Sequence, residues 1–140
     1  MRRGYSLLET VFALALITLV IYGASNAFLG RASGHQLNRA AWEIQTRLNY
    51  ARHKAIFKGH PFRVTFKPAG YIVEEFDSAI NSWRPEVTGS FEGVAITANN
   101  TPTFHPAGTV SNMATITISN AAGVFRITLA ISGRIRMVRL

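Results

Sequence analysis

The chain of 140 residues has no cysteine, so neither a disulfide nor a thiolate metal site can staple it. It is also poor in acid, with 7 Asp and Glu against 15 Lys and Arg, and no acid follows Glu92. The four histidines, at 35, 53, 60 and 105, stand at no metal-ligand spacing, which argues against a metal centre. A glycine-rich phosphate loop and a nucleophile elbow are both missing. Glu74 and Glu75 are neighbours on a predicted strand, so they point to opposite faces and make a poor catalytic carboxylate pair. The expectation is a protein that is not an enzyme and uses no cofactor.

A further absence is local. From Thr10 to Leu29 no side chain is charged, and twenty helical residues at about 1.5 Å each span a bilayer core of roughly 30 Å. One carboxylate, Glu9, stands at the mouth of this run, where a charge beside hydrocarbon is costly. The start, Met1-Arg2-Arg3-Gly4, is basic and ends in a small residue placed before the apolar run rather than after it. An ordinary secretory signal has the reverse order. Cutting after Gly4 leaves the apolar segment on the mature chain.

After the run, Leu37, Ala41, Ile44, Leu48, Ala51 and Ala55 follow a 4-3-4-3-4 spacing, the seam of an amphipathic helix. Glu43 and Arg47, four apart, are placed to pair on its outer face. The helix is expected to stop near Lys58-Gly59, with Pro61 beyond. One helix over residues 5–58 is predicted, transmembrane over about 8–29 and amphipathic over about 35–58.

Past Pro61 the period becomes two. Residues 62–66 and 71–76 read as a hairpin around Lys67-Pro68-Ala69-Gly70, and 77–93 reads as a loop or irregular edge. Residues 94–97 and 103–104 are weaker strands, while 114–119, 124–131 and 134–138 are stronger ones separated by turns at Asn120–Gly123 and Ser132-Gly133. Helix first and strands after make an α+β arrangement, with a β-rich globular part over 59–140.

Charge is uneven along this plan. Residues 31–58 carry six basic groups against Glu43, residues 59–125 are mildly acidic, and residues 126–140 hold Arg126, Arg134, Arg136 and Arg139 without an acid. That asymmetry points to a polyanion or an acidic partner surface. Basic residues flank the apolar run on both sides, so charge alone leaves its orientation open.

Gly4 followed by Tyr5, then Ser6-Leu7-Leu8-Glu9, resembles the processing site of type IV pilins and pseudopilins. The resemblance implies a leader over residues 1–4, cleavage by a prepilin peptidase between Gly4 and Tyr5, and methylation of the new Tyr5 amino terminus. It implies a cytoplasmic N-terminus, a single pass through the inner membrane, and a periplasmic globular part that enters a pilus or pseudopilus with other pilins. Glu9 would set register by pairing with a neighbouring subunit's ammonium, because an unpaired buried charge penalises misalignment.

Later residues are similar to the minor pilins and pseudopilins of the GspH/FimT group: Phe104-His105-Pro106-Ala107-Gly108-Thr109, paired strands, then Ser132-Gly133-Arg134. Gly133-Arg134-Ile135-Arg136 resembles the Gly-Arg-x-Arg of FimT-type minor pilins, which bind DNA during natural transformation. By that resemblance Gly133, Arg134 and Arg136 form a DNA site, with Arg139 and Arg126 extending it. In a strand Arg134 and Arg136 share one face about 7 Å apart, and Arg139 falls on the other parity. Gly133 is expected to turn the backbone and leave room for a ligand. Alternating arginines on an edge strand also guard it against edge pairing. The alternative implied is an H-type minor pseudopilin of a type II secretion system.

Overall fold

The structure is a computed structural model that describes residues 6–140, without the side chains of 24–31. Gly4 and Tyr5, the expected cleavage and methylation site, lie outside the described residues. The chain divides into two units, residues 1–32 and 33–140.

Helix α1 is Leu7–Lys58. In the first unit Ser6 starts it, its carbonyl accepting from the Glu9 and Thr10 amides at 2.9 and 3.2 Å. Glu9 sits in the first turn, where the helix dipole favours a carboxylate by about 0.3–1 kcal/mol. Thr10 and Thr18 return their hydroxyls to the Leu7 and Ala15 carbonyls, each at 2.8 Å, which spares these groups a partner outside the helix. Leu8, Phe12, Leu16 and Leu19 are exposed. Among the described residues no helix is long and apolar enough to cross a membrane. The span expected over about 8–29 is therefore not found there, and its later part includes the side chains left undescribed.

In the second unit every residue of the expected seam is buried: Leu37, Ala41, Ile44, Leu48, Ala51 and Ala55, joined by Ala40. Alanine on this stripe lets sheet side chains approach the helix closely. The helix ends where expected, at Lys58, and the Gly59 amide closes on the Ala55 carbonyl at 3.1 Å.

Nine strands follow. A five-stranded antiparallel sheet runs β3-β2-β1-β5-β6, from Ser82–Ser90, Gly70–Asp77, Phe62–Lys67, Thr103–Phe104 and Val110–Ser111. A four-stranded antiparallel sheet runs β4-β7-β8-β9, from Ala95–Ala98, Thr115–Asn120, Gly123–Leu129 and Ile135–Arg139. Phe62, Val64, Tyr71, Val73 and Phe104 from the first sheet meet Ile96, Ile116, Ile118, Ile127 and Leu129 from the second in one core with the helix seam. The period-two pattern of each strand puts its apolar parity into that core.

Three differences from the sequence expectation have physical causes. Residues 82–90, expected as a loop or irregular edge, form the regular edge strand β3; Pro85 is tolerated because an edge leaves its missing N–H without a ladder partner to deprive. A bulge follows, since Val73 pairs Val87 while Glu74 pairs Pro85, leaving Glu86 as the extra residue. Glu86 is thereby aimed at the helix, where it meets the Lys54 ammonium and the Tyr50 hydroxyl, both at 3.1 Å. Finally, Glu43 and Arg47 form no direct ion pair. Each bonds the buried Tyr71 hydroxyl at 2.8 Å, which donates to Glu43 and accepts from Arg47 Nε. Burial foremost, together with Glu43, raises the Tyr71 phenol above its ordinary value.

Candidate nucleic-acid interface

Strand parity sets the outer face of the four-stranded sheet. Ladder pairing lines up Thr97, Thr117, Arg126 and Val138 in one row across β4, β7, β8 and β9. A second row holds Thr115, Thr128 and Arg136. The buried partners Ile116, Ile118, Ile127 and Leu129 occupy the opposite parity, so hydroxyls and guanidiniums face solvent together. Arg126 is the diagonal neighbour of Arg136, a separation of roughly 7–8 Å in antiparallel geometry.

Arg134 lies just before β9, in the turn that links it to β8. Arg134 and Arg136 line one shallow hollow of about 390 Å³ with Met113, Thr128, Leu129 and Ala130. Both arginines are exposed, while Ile135 and Met137 turn inward against the core. Among the described residues, Arg126, Arg134 and Arg136 have no acid within ion-pair distance. The lack of acid after Glu92 explains this.

Two expected members sit elsewhere. Arg139 lies at the far end of β9 on the other parity, its guanidinium 5.7 Å from the Phe125 ring and 3.4 Å from the Ala122 carbonyl. Gly133 is buried, and a Cβ there would stand 2.6 Å from the Gly108 carbonyl oxygen and 2.7 Å from Arg52 Nε. Its φ of 77° closes the turn. The glycine therefore makes room for the protein's own interior rather than for a ligand.

Several other cations are occupied within the fold. Lys58 pairs with Glu75 at 2.7 Å and reaches Glu86 at 3.7 Å, while Lys54 holds Glu86. The hydrogen bond to Glu75 raises the Lys58 ammonium, and that to Glu86 raises the Lys54 ammonium. Arg63 grips Glu74 through two bonds of 2.7 and 3.0 Å and stacks 4.4 Å from the Trp83 ring centroid. That grip first, with a Thr65 hydroxyl bond, pulls the Glu74 carboxyl below its ordinary value against the cost of burial. Arg84 holds Asp77 at 3.1 Å. Glu74 and Glu75 do point to opposite faces, one to Arg63 and one to the helix. Trp83 packs edge-on to Phe76, and His105 Nε2 bonds the Ser111 hydroxyl at 2.8 Å within a turn. Thr117, Thr128, Met113 and Arg52 escaped sequence reasoning. For the threonines the signal was available, since Thr alternates with Ile through β7 and β8.

A helix laid over two antiparallel sheets gives an α+β protein of pilin-like architecture. A family model, type II transport protein GspH, matches residues 40–133, and the chain belongs to that family. The family and its solved neighbours are pilins and pseudopilins, structural proteins rather than enzymes. The minor pseudopilin EpsH of the Vibrio cholerae type 2 secretion system superposes with a TM-score of 0.65 at 16% identity, over 74% of this chain and 97% of that one. The type IV minor pilin FimU of Pseudomonas aeruginosa gives 0.61 at 20% identity, over 74% and 89%. At such identities the likeness is one of fold. No curated protein sequence matches the chain.

Proposed function

We propose that the protein is a minor type IV pilin that binds DNA non-specifically for uptake in natural transformation. The observation that carries this reading is the acid-free outer face of the four-stranded sheet, where Arg126, Arg134 and Arg136 stand unpaired among threonine hydroxyls. Guanidiniums and hydroxyls are the groups that bind phosphate oxygens, and phosphate contacts carry no base information. With three phosphates neutralised, log K falls with log salt at a slope near −2.7, about fortyfold weaker binding from 50 to 200 mM. One subunit binds weakly, so several along a filament act together.

The same proposal includes delivery. A prepilin peptidase cleaves between Gly4 and Tyr5, Tyr5 is N-methylated, and the apolar run around 8–29 holds the subunit in the inner membrane with the domain in the periplasm. Glu9 then pairs with a neighbour's amino terminus in the filament. Glu9→Ala assembling as efficiently as wild type removes that role. A second reading, a minor pseudopilin of a type II secretion system, is favoured by the family description and by the EpsH likeness. A gel-shift experiment with residues 33–140 separates the two. DNA binding lost in Arg134→Gln/Arg136→Gln supports uptake, and no binding by wild type at low salt supports secretion.

A further inference from the structure

The β8–β9 turn that carries Arg134 has every backbone carbonyl from 130 to 134 engaged. Within the turn, the Gly133 amide donates to the Ala130 carbonyl at 2.9 Å, and the Ala130 amide donates to the Arg134 carbonyl at 3.0 Å. The Ile131 carbonyl accepts from the Val110 amide at 2.8 Å. The Ser132 and Gly133 carbonyls accept from Arg52 Nη2 and Nη1, at 3.2 and 3.3 Å. Arg52 comes from α1, some eighty positions earlier, and among the described residues it has no acid partner. Its Nε is buried without a hydrogen-bond partner and stands 2.7 Å from where a Cβ on Gly133 would be.

A second turn completes the seat. His105–Thr109 has the same bonding pattern, His105 amide to Thr109 carbonyl and Gly108 amide to His105 carbonyl, and Gly108 shares the φ of 77°. Its carbonyl oxygen faces Gly133, and Ile56 of α1 packs against it. Two turns, one from each sheet, thus close on the guanidinium.

We infer that Arg52 is a positioning residue for the DNA contacts: its planar fork clamps the β8–β9 turn and fixes where Arg134 and Arg136 present their charges. The fork matters because two carbonyls on successive residues need two donors in a fixed geometry, which a lysine cannot supply. An arginine facing carbonyls instead of a carboxylate keeps its full charge, so the clamp adds no acid that would pair with Arg134 or repel phosphate. The inference rests on the DNA reading for its binding readout, though not for its structural one.

The test uses the full chain in mild detergent, with Arg52→Met and the gentler Arg52→Lys. Measured are affinity for a short DNA duplex, the salt slope, and amide exchange by residue. Both variants are expected to bind about tenfold more weakly with an unchanged salt slope. Amides 130 and 133 are expected to exchange at least about tenfold faster, while those of the β1–β2 hairpin stay protected. Wild-type binding by Arg52→Lys shows that only charge matters and overturns the clamp. A slope reduced by about 0.9 shows that Arg52 itself touches a phosphate, and overturns it too. Unchanged exchange at 130 and 133 does the same. If the wild type binds no DNA, the proposed function falls, and the exchange rates alone uphold or overturn the clamp.

Discussion

The two sheets treat their cations in opposite ways. On the five-stranded sheet and the helix against it, Arg63, Arg84, Lys54 and Lys58 each meet an acid. On the four-stranded sheet Arg126, Arg134 and Arg136 meet none. A cation neutralised inside the fold holds the fold together; one left unmatched offers its field to something outside. The formal excess of +8 is therefore unevenly available: Arg63, Arg84, Lys54 and Lys58 are matched by acids, and the cations on the outer face of the four-stranded sheet are not.

The largest expected effect strikes the unmatched side. Arg134→Gln with Arg136→Gln should cut duplex affinity about sixtyfold near 0.1 M salt and reduce the salt slope from about −2.7 to −0.9. Unfolding free energy should stay within about 0.5 kcal/mol; a larger loss in denaturant titration would show that these charges are structural.

Arg63→Met is the converse, expected to cost about 2 kcal/mol of stability through the lost carboxylate grip and the lost stacking on Trp83 while leaving DNA affinity intact. Weaker DNA binding by a fully folded Arg63→Met would blur the distinction between the sheets. A smaller effect comes from making the second sheet resemble the first. Thr128→Glu sets a carboxylate directly opposite Arg136, and should weaken DNA binding about tenfold while changing stability little. Titration calorimetry and thermal melts read the two quantities separately.

The smallest effect is in pH. Glu74 titrates below its ordinary 4.5 when folded, so its contribution is complete above that value and disappears as pH falls through the folded one. At matched stability, acid unfolding should begin at lower pH in Glu74→Gln, which lacks this titration, than in Arg134→Gln/Arg136→Gln, which keeps it. The sharper measure is that Arg63→Met flattens the wild-type loss below about pH 4.5.

How much of this was legible depends on the length of the pattern. The helix seam from Leu37 to Ala55 repeats often enough to declare its period, and strands β1, β2, β7, β8 and β9 show theirs. Strand β3 did not, because Pro85 and polar residues mask an edge whose side chains are mostly solvated. Strand β6, Val110–Ser111, is too short to show any period. The Glu43–Arg47 spacing suggested a helical pair, but Tyr71, distant in sequence, intercepts both. Parity separated Arg139 from Arg136, whereas Arg134 falls in the turn before β9 and has no strand parity. Arg52 was hidden for a different reason. Its partners are carbonyls, which every residue has, and no pattern of side chains can reveal them.

That choice of partner has a consequence for variation. The Arg52 fork reads the path of the main chain at Ser132 and Gly133, and both Ile131 and Ser132 expose their side chains at the tip. Residues 131 and 132 can change in size and polarity without disturbing what holds them. The tip is thus a replaceable head on a fixed mount, where selection could adjust what the subunit grips and leave the packing of helix and sheets alone.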